Sequence, residues 1–470
     1  MKEINLLEST TIKHIHFVGI GGISMSGLAE ILLSLGYKIS GSDMKSSYIT
    51  ERLGKLGATV YTGHHASNVQ GADLVVYTAA AKEDNVERVE AGKLGIPSME
   101  RATLLGQVMK KYPVSIAISG THGKTTTTSM VSMIMLEAAL DPTIHIGGVL
   151  DSIGGTTKIG GEKYFITEAC EYVESFLKFH PFLAIVLNIE LDHVDYFKDL
   201  QHIKDAFYKF VSLVPKDGYV VACVDDENTA ELVKKVSCNT VTYGIKSSDA
   251  MWSAKNITFD EMGCASFILT FNKEELGEIK LSVPGTHNVN NALGAAAACY
   301  TLGCDIQAIR RGLNKFHGTD KRFQTKGTVD EIRVVDDYAH HPSEIKVTLK
   351  AARNCGHPKV WCVFQPHTYT RTKAFMEDFA SSFEDADEII IADIYAAREI
   401  DKGDVHSSTL AEKIQARGKK ALYIHGFDNI VDYLDRHVAP GDLVITMGAG
   451  DISKTGEMFL DKRKEALSVS

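Results

Sequence analysis

Residues 116–127 join a strand pattern to a helix pattern through a glycine-rich turn, Ile116-Ala-Ile-Ser-Gly-Thr-His-Gly-Lys-Thr-Thr-Thr127. Its apolar first half has the length of a buried strand, and Gly-Lys-Thr opens a helix pattern. Glycines let backbone amides approach phosphate oxygens, and the dipole of the following helix favours their negative charge. Lys124 is expected to reach the terminal phosphates, and the Thr125 hydroxyl to ligate Mg²⁺. The predicted ATP-binding loop consists of Gly120, Thr121, His122, Gly123, Lys124, Thr125 and Thr126.

This loop is shorter than a full P-loop, which would have glycine where Ile118 stands. An accidental Gly-Lys-Thr at a helix start is the alternative interpretation. The strand before the loop and the helix pattern after it favour the ATP site.

A second glycine-rich turn, GIGGISMSG at 19–27, lies between the strand-like His14–Val18 and a helix-like stretch that begins near Met25. Such a turn suits the approach of a diphosphate, and Asp43, at the end of the next strand, suits a ribose hydroxyl. Ser24 stands where a complete GxGxxG fingerprint would have glycine. The motif is therefore open to two interpretations, a diphosphate site or a plain tight turn. It also does not separate a dinucleotide from a nucleotide-sugar.

Strand-like and helix-like segments alternate along the chain, as is typical of parallel sheets with crossover helices. The pattern begins afresh near residue 112 and again near 320, and a length of 470 residues favours about three domains. We predict an α/β protein with a Rossmann-like N-terminal domain over 1–111. A central P-loop ATPase-type domain over 112–320 and a C-terminal Rossmann-like domain over 321–470 are expected to follow.

Acidic and histidine side chains follow two further strand-like runs. Tyr164–Thr167 leads into Glu168, and Phe182–Leu187 leads into a segment that contains Asn188 and His193. Since ligand contacts gather at the carboxyl ends of parallel strands, these side chains are expected near the nucleotide. With a threonine hydroxyl they form a mixed set that leaves Mg²⁺ most of its waters and phosphates. The alternative is that Glu168 caps a helix and His193 is a hydrogen-bonded loop residue.

The composition excludes several classes of protein. With 44% hydrophobic residues, 23% charged residues and 10 prolines, the chain is neither disordered nor of low complexity. A net charge of −10 argues against a protein made to bind nucleic acid or an anionic membrane. The first eighteen residues lack the apolar core of a secretion signal, and the eight cysteines form no CxxC pair. We expect a cytoplasmic protein with reduced thiols and no membrane insertion.

Five motifs, in this order and spacing, resemble those of the Mur ligase family. They are GTHGKTTT (120–127), NIELDHVDYF (188–197), PGTHNVNNALGA (284–295), DDYAHHPSE (336–344) and QPHTYTRT (365–372). The likeness covers nearly the whole chain, from HFVGIGGISMSGLAEIL near the N-terminus to MGAGDI near the C-terminus. DDYAHHP and HTYTRT indicate the member of the family that adds alanine.

The resemblance implies ATP-dependent ligation of L-alanine to the lactyl carboxylate of UDP-N-acetylmuramate through an acyl phosphate. This reaction belongs to peptidoglycan precursor synthesis, and so to cell shape and division. The alternative is a sister ligase that adds another amino acid or a peptide to the same sugar nucleotide. ATP would be a co-substrate and Mg²⁺ the cofactor, and the protein would be a monomer or a weak homodimer that binds no nucleic acid.

The resemblance also implies roles for individual residues. The UDP part of the sugar nucleotide would be bound by Gly22, Ser24, Met25, Gly27 and Asp43. Besides the loop, ATP would be contacted by Asn188, His287, Asn291 and Asp336, with Asp337 as the alternative to Asp336. Mg²⁺ would be held by Thr125, Glu168 and His193. L-alanine would be recognised by Tyr338, His340 and Arg371. The catalytic residues would be Lys124, Glu168, His193 and Arg322.

The sequence departs from the family pattern at several positions. Ser24 replaces glycine, and Lys321 and Thr368 replace arginine. An EADESD-like stretch becomes Glu168-Ala-Cys-Glu-Tyr-Val173, whose thiol and valine cannot repeat a carboxylate role. The departures weaken the contact map and leave the predicted activity intact.

Two other classes of protein share single features with the chain. A dinucleotide-dependent oxidoreductase would use the turn at 19–27, but it would give no purpose to Lys124 and His193. A regulatory or motor P-loop NTPase would use Lys124, but it would not need the first turn.

Overall fold

The computed structural model describes Leu6 and residues 9–469, with side chains up to Ser468. Part of the segment inspected for a secretion signal therefore lies outside the described residues. The chain forms two compact units. The first reaches to Ile189 and includes Ile203–Tyr243 and Gly294–Gly312, and the second consists of Glu190–His202, Gly244–Leu293 and the chain from Leu313 onward. The domain boundaries predicted at 111/112 and 320/321 stay predictions.

The N-terminal part is a five-stranded parallel sheet in the order β3-β2-β1-β4-β5. Its strands are β1 (His14–Val18), β2 (Lys38–Asp43), β3 (Thr59–Thr62), β4 (Leu74–Tyr77) and β5 (Ser98–Glu100). Its helices are α1 (Ile23–Ser34), α2 (Tyr48–Lys55), α3 (Val86–Lys93) and α4 (Arg101–Met109). The strand order reverses beside β1, so the glycine turn after β1 opens at the point where such sheets bind ligands. The predicted Rossmann-like fold is confirmed.

The central parallel sheet has the order β12-β11-β10-β6-β9-β7-β8, and only β7 and β8 pair antiparallel. Its first strands are β6 (Val114–Ser119), β7 (Thr143–Leu150), β8 (Gly155–Lys158) and β9 (Tyr164–Glu168). The others are β10 (Leu183–Val186), β11 (Tyr219–Cys223) and β12 (Asn239–Tyr243). The helices are α5 (Lys124–Glu137), α6 (Leu200–Val211) and α7 (Glu227–Val233), with a 3-10 segment at Tyr172–Lys178. The strands that lead into the predicted nucleotide residues, β6, β9 and β10, are adjacent.

An antiparallel meander interrupts the alternation that the sequence predicts. It comprises β13 (Trp252–Phe259), β14 (Cys264–Phe271) and β15 (Glu274–Pro284), and is followed by α8 (Thr286–Thr301) and α9 (Ile306–Asn314). Asn272 and Lys273 form the turn between β14 and β15, both with positive φ, as a two-residue hairpin requires. Such a short connection excludes a crossover helix, so β14 and β15 pair antiparallel, in addition to the parallel sheets that the sequence predicts.

The C-terminal sheet has the order β16-β17-β21-β18-β19-β20, parallel except at the edge pair β16–β17. Its strands are β16 (Gln324–Val329), β17 (Ile332–Asp337), β18 (Val360–Phe364), β19 (Glu388–Ile391), β20 (Lys420–Tyr423) and β21 (Leu443–Met447). Its helices are α10 (Pro342–Arg353), α11 (Tyr369–Ala374), α12 (Met376–Ala380), α13 (Ser407–Ala416), α14 (Phe427–His437) and α15 (Ser453–Val469). The DDYAHHPSE and QPHTYTRT motifs leave the carboxyl ends of β17 and β18, which are both neighbours of β21.

Among the described helices, none is long and apolar enough to cross a membrane. All eight cysteines are free thiols, and five of them are buried.

Gly106 gives a test of the packing of α4. A Cβ atom at this position would overlap the carbonyl oxygen of Lys178, whereas a Cβ at Gly54, in α2, would meet nothing within 4 Å. We therefore expect Gly106→Ala to lower the thermal unfolding midpoint, through overpacking worth about 1–3 kcal/mol. Gly54→Ala is the matched control and should leave the midpoint unchanged or raise it, because alanine favours a helix over glycine. Equal midpoints for the two variants, measured by calorimetry, would contradict the packing.

Candidate active site

The nucleotide loop is shaped by two glycines with positive φ. Gly120 has φ 143°, and a Cβ there would lie 2.8 Å from Leu187. Gly123 has φ 85° and is the N-cap of α5. Glycine therefore allows both the close passage of the chain past β10 and the turn into the helix.

Asn188, at the end of β10, fastens the loop to the sheet. Its side-chain oxygen accepts from the His122 backbone N–H at 2.8 Å, its amide donates to the His122 carbonyl at 3.1 Å, and its own carbonyl accepts from Thr121. The Asn188 side chain thus pairs with the His122 backbone as a neighbouring strand would, and it fixes the conformation of the loop.

Lys124 is paired with a fully buried carboxylate. Its ammonium lies 2.9 Å from the nearer oxygen of Glu171 and also donates to the carbonyls of Gly120 and Thr121. Burial would lower the pKa of Lys124, but the Glu171 charge outweighs burial and raises it. Lys124 is therefore a charged ammonium at the first turn of α5.

Thr125 and Glu168 meet beside the same loop, as the sequence predicts. The Thr125 hydroxyl donates to one Glu168 oxygen at 3.1 Å, and the backbone N–H of Gly147 donates to the other at 2.7 Å. A Cβ on Gly147 would lie 3.0 Å from the carboxylate, and a Cβ on Gly148 would lie 2.9 Å from Thr125. Sequence reasoning missed this glycine pair, although two adjacent glycines within a strand were a usable signal.

Cys170, a departure from the family pattern, is a neutral thiol. Burial, followed by the Glu171 charge, raises its pKa to about 11. It therefore supplies neither a thiolate nor a carboxylate beside Lys124.

The first glycine turn is held by Asp43, whose carboxylate accepts from the Gly21 N–H at 2.9 Å. Gly22 is exposed at the N-terminus of α1, whereas the side chain of Met25 is buried in the core. Gly27 is buried as well, and a Cβ there would lie 2.6 Å from His145 Nδ1. The structure thus gives Gly27 a packing role, with α1 lying against β7 and β8.

Ser24 is engaged by two side chains that sequence reasoning did not single out. Arg101 donates to its hydroxyl oxygen at 2.9 Å, and the hydroxyl lies 2.8 Å from His145 Nε2. Burial, followed by the Arg101 charge, lowers the pKa of His145 to about 3, so the ring is neutral and accepts the Ser24 proton. The serine that departs from the family pattern therefore links α1 to α4 and β7.

In the second unit, Arg371 forms a buried ion pair with Asp192. Its Nε and one terminal nitrogen lie 3.0 and 2.9 Å from the same Asp192 oxygen, and the two residues are 7% and 4% exposed. Burial would raise the pKa of Asp192, but Arg371 lowers it well below the usual range. Asp192 was not among the predicted site residues, because 179 positions separate it from Arg371.

Arg371 also orients His367. Its remaining terminal nitrogen donates to His367 Nδ1 at 3.2 Å, and the ring stacks on Tyr395 with centroids 5.6 Å apart. Burial, with His340 and Arg371 nearby, lowers the pKa of His367 to about 4. The ring is therefore neutral, accepts at Nδ1 and presents an N–H at Nε2. Thr368, where the family has arginine, caps α11 by accepting from the Arg371 backbone N–H.

The Nε2 atom of His340 is a hydrogen-bond acceptor, whereas that of His367 is a donor. Its Nδ1 lies 3.0 Å from the Tyr338 carbonyl and 3.3 Å from a Glu344 oxygen, so the ring proton lies on Nδ1. Burial lowers the pKa of His340 to about 4, and the neutral ring offers a lone pair at Nε2. The guanidinium of Arg322 lies 5.1 Å over the Tyr338 ring.

The predicted ATP contacts of the second unit are mostly engaged within the protein. Asp336 accepts from Thr446 at 2.7 Å, and Asp337 accepts from the backbone of Phe323 and Ala339. Asn291 donates to Asn288 at 3.0 Å. Since both aspartates are buried, neither carboxylate is displayed at the surface.

His287 differs from these residues. Its Nδ1 is buried with no hydrogen-bond partner among the residues that the structure describes. Burial, followed by the Arg322 charge, lowers the pKa of His287 to about 4.

The predicted residues fall into two groups, one in each compact unit. The sugar-nucleotide residues, the ATP loop, Glu168 and Asn188 belong to the first unit. His193, His287, Asn291, Arg322, Asp336, Tyr338, His340 and Arg371 belong to the second. His193 has φ 50°, and its backbone N–H donates to Asp192. Glu168 and Asn188 in the first unit, and Tyr338 and His340 in the second, lie at or just after the carboxyl ends of parallel strands. His287 and Asn291 lie on α8, and Arg322 precedes β16.

Family models match the chain along almost its whole length. The Mur ligase family catalytic domain matches residues 14–113, the Mur ligase middle domain 118–299, and the Mur ligase glutamate ligase domain 321–450. A UDP-N-acetylmuramate–L-alanine ligase of Acetivibrio thermocellus is 60% identical over 470 residues, the full length of both chains. The chain belongs to the Mur ligase family.

Other Mur ligases agree in sequence and fold. A UDP-N-acetylmuramate–L-alanine ligase of Caldanaerobacter subterraneus subsp. tengcongensis is 54% identical over 96% of this chain and 98% of its own. The crystal structure of a UDP-N-acetylmuramate–alanine ligase from Thermotoga maritima has a TM-score of 0.81 at 29% identity, covering 96% and 99% of the chains. A murein peptide ligase from Psychrobacter arcticus has a TM-score of 0.70 at 26% identity, covering 96% and 98%.

The Asp192–Arg371 pair in this Mur ligase gives a second test. Asp192→Asn leaves a buried guanidinium without its counter-charge, so we expect a loss of about 3–5 kcal/mol in the free energy of unfolding. Asp404→Asn is the control, because Asp404 forms an exposed pair with Lys373, worth about 0–1 kcal/mol. The thermal unfolding midpoints of both variants and of wild type, measured at pH 7, test these two expectations.

The difference in free energy of unfolding between wild type and Asp192→Asn should depend on pH. The lowered pKa of Asp192 contributes stability above the ordinary aspartate pKa, near 4, and this stability is lost as the pH falls below it. The difference in free energy of unfolding between wild type and Asp192→Asn should therefore become smaller below about pH 4. A gap that widens on acidification would contradict the ion pair.

Proposed function

We propose that this Mur ligase joins L-alanine to the lactyl carboxylate of UDP-N-acetylmuramate at the expense of ATP. The products are UDP-N-acetylmuramoyl-L-alanine, ADP and phosphate. The 60% identical relative, aligned over its full length, carries the name of this activity, whereas the murein peptide ligase is 26% identical. The structural observation that carries the proposal is the charged Lys124 at the start of α5, beside Thr125 and Glu168.

The chemistry explains why such a cation is needed. A carboxylate oxygen of the substrate attacks the γ-phosphorus of ATP, and the bond from that phosphorus to ADP breaks. The amine of alanine attacks the resulting acyl phosphate at its carbonyl carbon, phosphate departs, and the amine loses a proton. Because anions meet in both steps, positive groups must offset their charge. We assign this role to Lys124 and Arg322.

We assign the triphosphate to the loop Gly120–Thr126. The free N–H groups of the first turn of α5 favour phosphate oxygens, and Asn188 keeps the loop in place through His122. Glu171 keeps Lys124 charged and limits its reach. Asn188, His287, Asn291 and Asp336 stay the predicted contacts for the rest of the nucleotide.

The residues beside Lys124 fit Mg²⁺, because hydroxyl and carboxylate oxygens are the ligands that this ion prefers. Thr125 and Glu168 would hold it, and His193 stays the third predicted ligand. When bound, Mg²⁺ would offset phosphate charge.

We assign the UDP part of the sugar nucleotide to the turn after β1. Gly22 and Ile23, at the start of α1, are exposed, and Ser24 brings Arg101 to the same place. A guanidinium at a helix N-terminus suits a diphosphate. Met25 and Gly27 would contribute backbone only, and Asp43 would serve the ribose.

We assign L-alanine to the surroundings of Tyr338, His340 and Arg371. The lone pair on His340 Nε2 suits an ammonium, and the N–H on His367 Nε2 suits a carboxylate. The two rings lie 5.9 Å apart. Arg371, neutralised by Asp192, acts by orienting His367. The protein would work in the cytoplasm, as a monomer or weak homodimer.

Phosphate release tests the proposal. We expect release to require UDP-N-acetylmuramate and an amino acid together, with alanine best and serine and glycine weaker. Lys124→Ala should lower turnover by about 10³-fold, since it removes a charge from the phosphoryl-transfer step. Binding of the sugar nucleotide, measured by calorimetry, should be nearly unchanged in this variant.

Lys235→Ala is the matched control, because Lys235 is exposed and pairs only with a surface glutamate among its described partners. It should retain wild-type turnover. Release without an amino acid, or loss of sugar-nucleotide binding in a folded Lys124→Ala protein, would contradict the proposal.

A further inference from the structure

A chain of hydrogen bonds joins Arg101, at the start of α4, to the interior of the central sheet. One terminal nitrogen of Arg101 donates to the Ser24 hydroxyl oxygen at 2.9 Å, and this hydroxyl lies 2.8 Å from His145 Nε2. His145 lies on β7 and is only 4% exposed. All three residues belong to the first compact unit. A buried residue of the central sheet thus reaches the first glycine turn of the N-terminal sheet.

The directions of these hydrogen bonds follow from the chemistry of the groups. A guanidinium donates hydrogen bonds and accepts none, so the Ser24 oxygen accepts from Arg101. The pKa of His145 is lowered to about 3, chiefly by burial, so the ring is neutral and Nε2 accepts the Ser24 proton. With its proton directed to His145, the Ser24 hydroxyl turns its lone pairs toward Arg101.

The other ring nitrogen of His145, Nδ1, has no hydrogen-bond partner among the described residues. It lies against Gly27 of α1, as does the hydroxyl of Thr157, which stands opposite His145 in the β7–β8 pair. A buried polar atom without a partner lowers the stability of a fold, and an apolar side chain in this place would avoid that loss. The bond to Ser24 is therefore what the imidazole contributes and an apolar side chain could not.

Arg101 is a cation without a counter-charge. Lys124 and Arg371 each pair with a carboxylate, whereas Arg101 forms no ion pair with any residue that the structure describes. Since α4 begins at Arg101 directly after β5, and α1 begins one residue before Ser24, the guanidinium lies at the carboxyl edge of the sheet, where such folds bind anions. Its charge is thus available to a ligand, and Ser24 holds it in place.

We propose that His145 is a positioning residue of the sugar-nucleotide site, which fixes the Arg101 guanidinium through Ser24 for a charged hydrogen bond to the diphosphate. A long side chain that is already ordered loses less conformational entropy when the ligand binds. The link to Ser24 therefore raises the affinity for a ligand that carries phosphates and leaves the affinity for uridine unchanged. This inference rests on the proposed function, which assigns the UDP part to the turn after β1.

Titration of the full-length protein with UDP, by calorimetry, and with uridine, by ligand-observed nuclear magnetic resonance, tests the inference. His145→Leu fills the buried place without an acceptor, and should weaken UDP about fivefold and uridine by less than about twofold. His145→Gln places an amide where Nε2 stands, and should keep the affinity for UDP within about twofold of wild type. His180→Leu is the matched control, since His180 is an exposed histidine of the same unit, and it should behave as wild type.

A double-mutant cycle shows whether His145 acts through Arg101. Arg101→Ala should weaken UDP about tenfold or more, because it removes a charged hydrogen bond. Adding His145→Leu to Arg101→Ala should then cause no further loss. Arg52→Ala is the control, since Arg52 pairs with Glu30 in the same part of the chain, and it should keep the wild-type affinity.

Turnover gives an independent readout of positioning. His145→Leu should raise KM for UDP-N-acetylmuramate about fivefold and leave kcat within about twofold, because the contact with the diphosphate is the same before and during the reaction. If the His145→Leu protein does not fold, Ser24→Ala removes the same link outside the core, and it should also weaken UDP about fivefold.

Three results would overturn the inference. They are an unchanged affinity for UDP in a folded His145→Leu or Ser24→Ala protein, equal losses for UDP and uridine, and a loss from His145→Leu that persists in full when Arg101 is already alanine. If wild type bound neither UDP nor UDP-N-acetylmuramate, the proposed function itself would fail, and this outcome is distinct from the other three.

Discussion

The buried cations of this ligase are each stabilised by an ion pair with a buried carboxylate. Lys124 can stay charged at the start of α5 because Glu171 lies 2.9 Å away. Arg371 depends on Asp192 in the same way. A ligase that brings phosphate and carboxylate anions together needs such charges, and burying any of them unpaired would cost several kcal/mol.

Local chemistry accounts for what the sequence predicts well. The strand before Gly120, the helix after Gly123 and the meeting of Thr125 with Glu168 follow from an apolar run, two glycines and the convergence of parallel strands. The Rossmann-like sheet follows from the same logic. The likeness of the motifs to Mur ligases, and through them the family, could also be predicted, because the motifs cover nearly the whole chain.

Long-range pairing accounts for what the sequence does not predict. Asp192 meets Arg371, and His145 meets Ser24, across more than a hundred positions, and nothing local marks either pair. The tautomers of His340 and His367 depend on the groups that face Nδ1, namely Tyr338 and Glu344 for His340 and the Arg371 guanidinium for His367. The β14–β15 hairpin was missed although Asn272 signalled its turn, and nothing local indicates that Asp336 and Asp337 are buried and hydrogen-bonded within the protein.

The central claim is that the substrate carboxylate is activated as an acyl phosphate. Transfer of an oxygen atom from this carboxylate to the released phosphate tests it. UDP-N-acetylmuramate labelled with ¹⁸O in the lactyl carboxylate is converted in the presence of ATP and L-alanine, and the phosphate is analysed by mass spectrometry. The account predicts one ¹⁸O atom in each phosphate released, because the attacking carboxylate oxygen leaves with the phosphorus. Unlabelled phosphate accompanying amide formation would contradict it.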